Sequence, residues 1–147
     1  MDASEGSVRA LSWAAEEAKI RNARLHIVLA WEPPVRVTGG VWATPDAEEL
    51  AAYSRRALER LDALVDGLSE ELANLEIERS AIRGAAASVL LEAARGATQL
   101  VVGSRGHGSF LGLLLGSVSR ECAHHASCPV VIVPPVASSG PTVESAR

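Results

Sequence analysis

Lysine is almost missing from this chain. Lys19 is the only one among 14 basic residues, the other thirteen being arginine. A nucleotide loop that grips phosphate with a lysine is therefore hard to place anywhere. The chain also lacks a basic tract, and its net charge is −4 with a pI near 5.6, so nucleic-acid binding has little support. Aromatic residues make up 3% against 48% apolar residues in all, which leaves an aliphatic core. Two cysteines, Cys122 and Cys128, are too few for a disulfide scaffold and fit a reducing cytoplasm. No apolar run approaches the 18 or so residues of a membrane helix, and no signal-peptide pattern precedes the first helical pattern. The length, 147 residues, is that of one domain with a real core. The excess of arginine and alanine reads as the codon bias of a GC-rich genome.

The chain does have a stretch, Leu100 to Ser119, built for anions. Leu100-Val101-Val102 is a short apolar run of the kind found in buried strands. Gly103, Ser104, Arg105 and Gly106 follow where such a strand hands over to a loop. Gly116, Ser117, Val118 and Ser119 then open a helix predicted over 117–126. Glycines let backbone N–H groups come close to a phosphate. A helix N-terminus adds free donors and a favourable dipole, and serine hydroxyls add uncharged ones.

Two standard nucleotide loops fail on single residues. Gly103 and Gly108 have Walker A spacing, but Ser109-Phe110 stand where lysine and serine or threonine belong. Gly106 and Gly108 begin a dinucleotide fingerprint, but Leu111 occupies the third glycine position. The pattern that is met is Gly-x2-Gly-x9-Gly-Ser, on Gly103, Gly106, Gly116 and Ser117.

This pattern resembles the ATP-binding signature of the universal stress protein (UspA-like) family. The flanks agree: Ala126 to Pro134 (ASCPVVIVP) resembles that family's final strand, and Ser4 to Ala18 (SEGSVRALSWAAEEA) its first helix. The resemblance runs from Asp2 to about Pro134. It implies an α/β, Rossmann-like doubly wound parallel sheet of the adenine nucleotide alpha hydrolase type, with strand order 3-2-1-4-5. It implies ATP with Mg²⁺ or Mn²⁺, or another adenine nucleotide such as cyclic AMP, as ligand, and a cytoplasmic homodimer paired through the last strand, Val130 to Val133. In the resemblance Ala30 meets the adenine edge and Asp2 contacts the adenosine. Gly103, Gly106, Gly116 and Ser117 touch phosphate and ribose, with Ser119 in reach of phosphate. Val102 and Val118 act through backbone or wall contacts. Arg105 either pairs a phosphate or faces solvent. The reading alongside is that the glycines are structural and hold no ligand.

In chain order, Ser4 is a good N-cap for a helix over 5–21, with Asn22 as C-cap. Leu25 to Trp31 is a continuous apolar run and reads as a central strand, with His26 half buried in it. Glu32-Pro33-Pro34 stops it. The segment to Thr44 reads as a surface loop, a lid over the ligand being the alternative. A long helix opens at Pro45-Asp46, with Leu50, Tyr53, Ala57, Leu58, Leu61, Leu64, Val65 and Leu68 on one face and charges on the other. Leu75 to Ile82 alternates, as an edge strand exposed on one side. A helix follows over 85–95, capped by Gly96, and the last strand covers Pro129 to Val133. The domain reads as 1–134, and the Ser, Gly, Pro and Glu tail at 135–147 as disordered. Helices alternating with apolar strands imply parallel β/α units, and such sheets bind ligands at the carboxyl ends of their strands.

Other chemistry is thinner. Cys122, His124, His125 and Cys128 invite a metal reading, but helical geometry separates Cys122 and His125 from His124, and no second ligand pair stands nearby. A Cys–His nucleophile lacks an orienting acid in sequence. His107 is the only general-base candidate beside the loop, so any hydrolysis is expected to be slow and metal-dependent. The function expected is nucleotide-dependent signalling. The alternatives are a nucleotide-free homodimeric interaction module and a weak metal-dependent ATP hydrolase.

The family's chains carry an apolar strand just ahead of the Asp-x-Ser turn, and Met1-Asp2-Ala3-Ser4 offers none. Four or five residues buried on both faces are worth roughly 1.5–3 kcal/mol each, a sum on the order of a domain's whole stability. The expectation is a first strand absent or truncated through a start codon placed too far downstream. The alternatives are a fragment of a longer or tandem protein and a damaged copy that folds poorly.

Overall fold

A computed structural model of the chain describes residues 4–38, 41–104 and 115–135, with backbone alone at 37–38 and 41–42. Helix α1 (Glu5–Arg21) starts where the sequence places it. The Ser4 side chain accepts a hydrogen bond from the Ser7 amide at 3.3 Å, and the helix ends on Asn22 in the left-handed region. Its buried residues, Ser7, Ala10, Leu11, Ala15 and Ala18, make one stripe at helical spacing.

Strand β1 (Leu25–Trp31) buries Ile27, Val28 and Leu29 in succession, so it is covered on both faces. It pairs in parallel with β4 (Ile77–Arg83), from Leu25 opposite Ile77 to Trp31 opposite Arg83. β4 pairs with no other strand among the described residues. It is half exposed, but its half-buried and exposed residues do not alternate one by one along the strand as the sequence pattern predicts.

Between them lie two short antiparallel strands and a long helix. β2 (Arg36–Thr38) and β3 (Val41–Ala43) pair from Arg36 opposite Ala43 to Thr38 opposite Val41. This corrects the expected loop before Thr44: a Gly-Gly pair between two short apolar runs is a hairpin signal. Helix α2 (Ala47–Asp66) opens on a full capping box. The Asp46 carboxylate accepts from the Glu49 amide at 2.8 Å, and the Glu49 side chain accepts from the Asp46 amide at 3.1 Å.

The remaining units are α3 (Ala86–Ala93), β5 (Leu100–Gly103), α4 (Ser117–His125) and β6 (Val130–Val133). α3 and α4 are shorter than their sequence patterns, ending two and one residues earlier than predicted, at termini where caps and frayed turns blur the limit. β5 and β6 are parallel, Leu100 opposite Val130 and Gly103 opposite Val133. The main core joins α1, β1 and α2 through Leu11, Ala15, Ile27, Leu29, Ala57, Leu61 and Val65. α3 also packs on β1 and against α4, while α1 lies against β5 as well as β1. The pairing seen is thus β1 with β4 and β5 with β6, in an α/β arrangement of parallel strands and covering helices.

Candidate functional site

The carboxyl end of β5 and the start of α4 are tied together by one carbonyl. The Ser104 oxygen accepts from the Gly116 amide at 2.7 Å and from the Ser119 hydroxyl at 3.0 Å. The Ser104 amide donates to the Val133 oxygen at 2.8 Å, which anchors the same residue to β6. Residues twelve or more apart in sequence are thereby brought to one place, with Ser104 and Ser119 both buried.

Gly116 is the N-cap of α4 and carries no side-chain cap. The helix begins with amides that have no acceptor within the helix, and no acidic side chain stands in its first turn. Ser117 is exposed and Val118 half buried there. Such a terminus suits an anion on both donor supply and dipole. Ser119 behaves differently from Ser117. Its hydroxyl also lies 3.2 Å from the Gly116 oxygen, so its proton is engaged within the protein. It braces the cradle from behind.

Gly103 meets the first turn of α1. A Cβ placed there would lie 2.7 Å from the Gly6 oxygen and 2.8 Å from the Gly6 carbonyl carbon. No side chain fits without moving backbone. Gly6 and Ser104 are the two residues that sequence reasoning missed. A glycine in a helix's first turn is a weak signal of close approach. Nothing in the sequence marks Ser104 as a hub.

One cavity of about 790 Å³ gathers most of the predicted residues: Ala30, Val102, Gly103, Gly116, Ser117, Val118 and Ser119 all line it. Its size is that of a small-molecule or cofactor site. Asp2, Arg105 and Gly106 lie outside the described residues, as does His107. The donor set fits a phosphate: a glycine cradle, an uncapped helix start and an exposed hydroxyl. No group of three or more His, Cys, Asp or Glu that could hold a metal ion occurs among the described residues.

The cysteine–histidine stretch is apart from the cavity. Cys122 is fully buried, and desolvation, with Glu121 adding to it, pushes its thiol above the ordinary range. His125 is exposed beside Glu121 at 3.5 Å. No helix among the described residues is long and apolar enough to cross a membrane.

A family model described as the universal stress protein family matches residues 1–134. A universal stress protein of Mycolicibacterium smegmatis is 31% identical over 134 residues, covering 90% of this chain and 46% of its own length. The chain spans about half the length of the curated relatives it matches. Among solved structures, a universal stress protein in complex with cAMP superposes with a TM-score of 0.67 at 28% identity, covering 90% of this chain and 92% of that one. One from Archaeoglobus fulgidus in complex with dAMP shares the fold, with a TM-score of 0.60 at 23% identity, covering 90% of this chain and 91% of that one.

Proposed function

Because the chain belongs to the universal stress protein family, we propose that it binds ATP in the cavity between β5 and α4 and uses occupancy as a signal. The observation that carries this is the Ser104 staple, which sets Gly103 against an uncapped α4 terminus inside a ligand-sized cavity. The cAMP and dAMP complexes of its structural relatives support an adenine nucleotide as the class of ligand.

In this reading the phosphates lie on the amides at Ser117 and Val118, with Gly116 leaving the helix start bare for their approach and Mg²⁺ or Mn²⁺ on the phosphate oxygens. The Ser117 hydroxyl supplies a further donor. Gly103 and Gly106 let the backbone approach, and Arg105 adds charge from the loop. Val102 forms wall, Ala30 meets the adenine edge, and Asp2 takes the ribose or base side, where its carboxylate avoids the phosphates. Ser119 holds the cradle in shape. In the family's own strand numbering the order is 3-2-1-4-5, the protein works in the cytoplasm, and two copies pair along β6, Val130 to Val133.

A second reading, a nucleotide-free interaction module, has one observation in its favour. Gly103 and Ser119 are both accounted for by contacts within the chain. Thermal unfolding separates the two. ATP with Mg²⁺ at a hundredfold its dissociation constant adds roughly 2.7 kcal/mol of stability, and cyclic AMP competes for the same gain. Gly116→Val, which puts a branched side chain over the helix start, removes it. Unfolding that ignores every adenine nucleotide selects the interaction module.

A further inference from the structure

Ser7 is the one polar member of the buried stripe on α1, whose other members are alanine and leucine. It is 8% exposed and lines the same cavity as Ala30 and Gly103. Packing alone asks for no hydroxyl among aliphatic neighbours.

Its hydrogen bonding is one-sided. The hydroxyl donates to the Ser4 oxygen at 2.9 Å. A carbonyl has no proton to give, so the single proton of the Ser7 hydroxyl is the one in this bond. The same Ser4 oxygen accepts the Ser7 and Val8 amides at 3.0 Å each, which fixes it as part of the α1 cap. Ser7 is left with an oxygen that can accept and cannot donate. Among the described residues no donor is bonded to that oxygen.

Position adds to chemistry. α1 packs on both β1 and β5. Gly6, next to Ser7, touches Gly103 at the carboxyl end of β5. Ser7 therefore stands at the carboxyl ends of the strands, with Ala30 of β1 to one side. To the other lies the start of α4, tied to β5 through Ser104. The α4 side supplies donors, the free amides of its first turn and the Ser117 hydroxyl, which suit phosphate oxygens. Ser7 is the opposite kind of group. It repels a phosphate oxygen and pairs with a ligand atom that carries a proton.

We propose that Ser7 is a specificity-determining residue: its oxygen accepts a hydrogen bond from a ribose hydroxyl, so the site prefers a full ribose to a deoxyribose. This rests on the adenine-nucleotide reading of the cavity. An adenine nucleotide carries protons for hydrogen bonding on its ribose hydroxyls and on the amine of its base. That reading puts the base edge at Ala30 and the phosphates at α4. The sugar joins the two, and Ser7 lies between them. A buried acceptor with no protein donor discriminates well, because only the hydroxyl-bearing ligand satisfies it.

The test is a calorimetric titration with ATP, 2′-deoxy-ATP and 3′-deoxy-ATP, each with Mg²⁺, of the unaltered chain and of Ser7→Ala. Alanine adds no volume and is the better helix former, and circular dichroism checks that the variant folds. One of the two deoxy analogues is expected to bind the unaltered chain about tenfold more weakly than ATP, the order one hydrogen bond supplies. Ser7→Ala is expected to bind ATP about tenfold more weakly and that analogue no more weakly than before, so the discrimination disappears. Equal binding of all three nucleotides by the unaltered chain would overturn the proposal. So would discrimination that survives in Ser7→Ala, or a loss in Ser7→Ala that is equal for all three, the mark of a hydroxyl that only holds α1 in shape. These three outcomes leave the nucleotide reading standing. Failure of every nucleotide to bind the unaltered chain contradicts that reading and takes the Ser7 proposal with it.

Discussion

Gly103 carries two demands at once. Ligand approach asks for a bare backbone there, and so does the 2.7 Å approach of the Gly6 oxygen to the position a Cβ would take. Gly103→Ala is predicted to destabilise the chain by about 1–3 kcal/mol, because backbone must move to admit a methyl group. Denaturant titration of the ligand-free protein reads this directly, and an unchanged midpoint would show that the α1 contact yields cheaply. Ser119→Ala removes the inward hydroxyl and is predicted to cost about 1 kcal/mol. The Ser104 carbonyl keeps the Gly116 amide as its partner. At Cys122 the raised thiol pKa has a defined sign. The native state holds the proton more tightly than the unfolded chain, so this stability is full below the ordinary thiol pKa and is lost as pH rises through the raised value. Unfolding measured across that alkaline window should show a downward slope that Cys122→Ala abolishes. The half-buried Cys128 should alkylate in the native protein long before Cys122 does. The glycine pattern was legible in the sequence; the staple was not. Ser104 acts through its backbone, and a backbone carbonyl leaves no trace in residue identity.

Among the elements, those with strong local signals emerge where the pattern puts them. α1 has its cap at Ser4, its stripe at helical spacing and its left-handed stop at Asn22, and the sequence limits and the structural ones coincide. α2 has Asp46 and Glu49 three apart, and the reciprocal capping box forms. Asp46→Ala is predicted to cost about 1 kcal/mol, seen as a lower thermal midpoint with no change in far-ultraviolet circular dichroism at low temperature. The β2–β3 pair was missed because three-residue strands carry too little periodicity to stand out from a loop. The Gly39-Gly40 pair was visible in the sequence all the same. β4 was legible as a partly exposed strand, although its burial does not keep the period of two that the sequence shows.

The whole molecule is organised around a space. Helices cover parallel strands, and the main core under α2 is aliphatic, as a chain with 3% aromatic residues requires. Composition thus foretold the kind of core, and the βα alternation foretold the fold class. What local pattern could not supply is how β1 and β5 are related across the cavity, because strand order is set by long-range pairing.

The most direct measurement of the central claim is an amide-resolved magnetic resonance titration with ATP and Mg²⁺. Saturable shifts concentrated at Gly103, Gly116, Ser117 and Val118, with small ones on α2, are the predicted result. Gly116→Val should abolish them while leaving the spectrum of α2 in place. Shifts that never saturate, or that gather on surfaces away from β5 and α4, would contradict the assignment of this cradle as a nucleotide site.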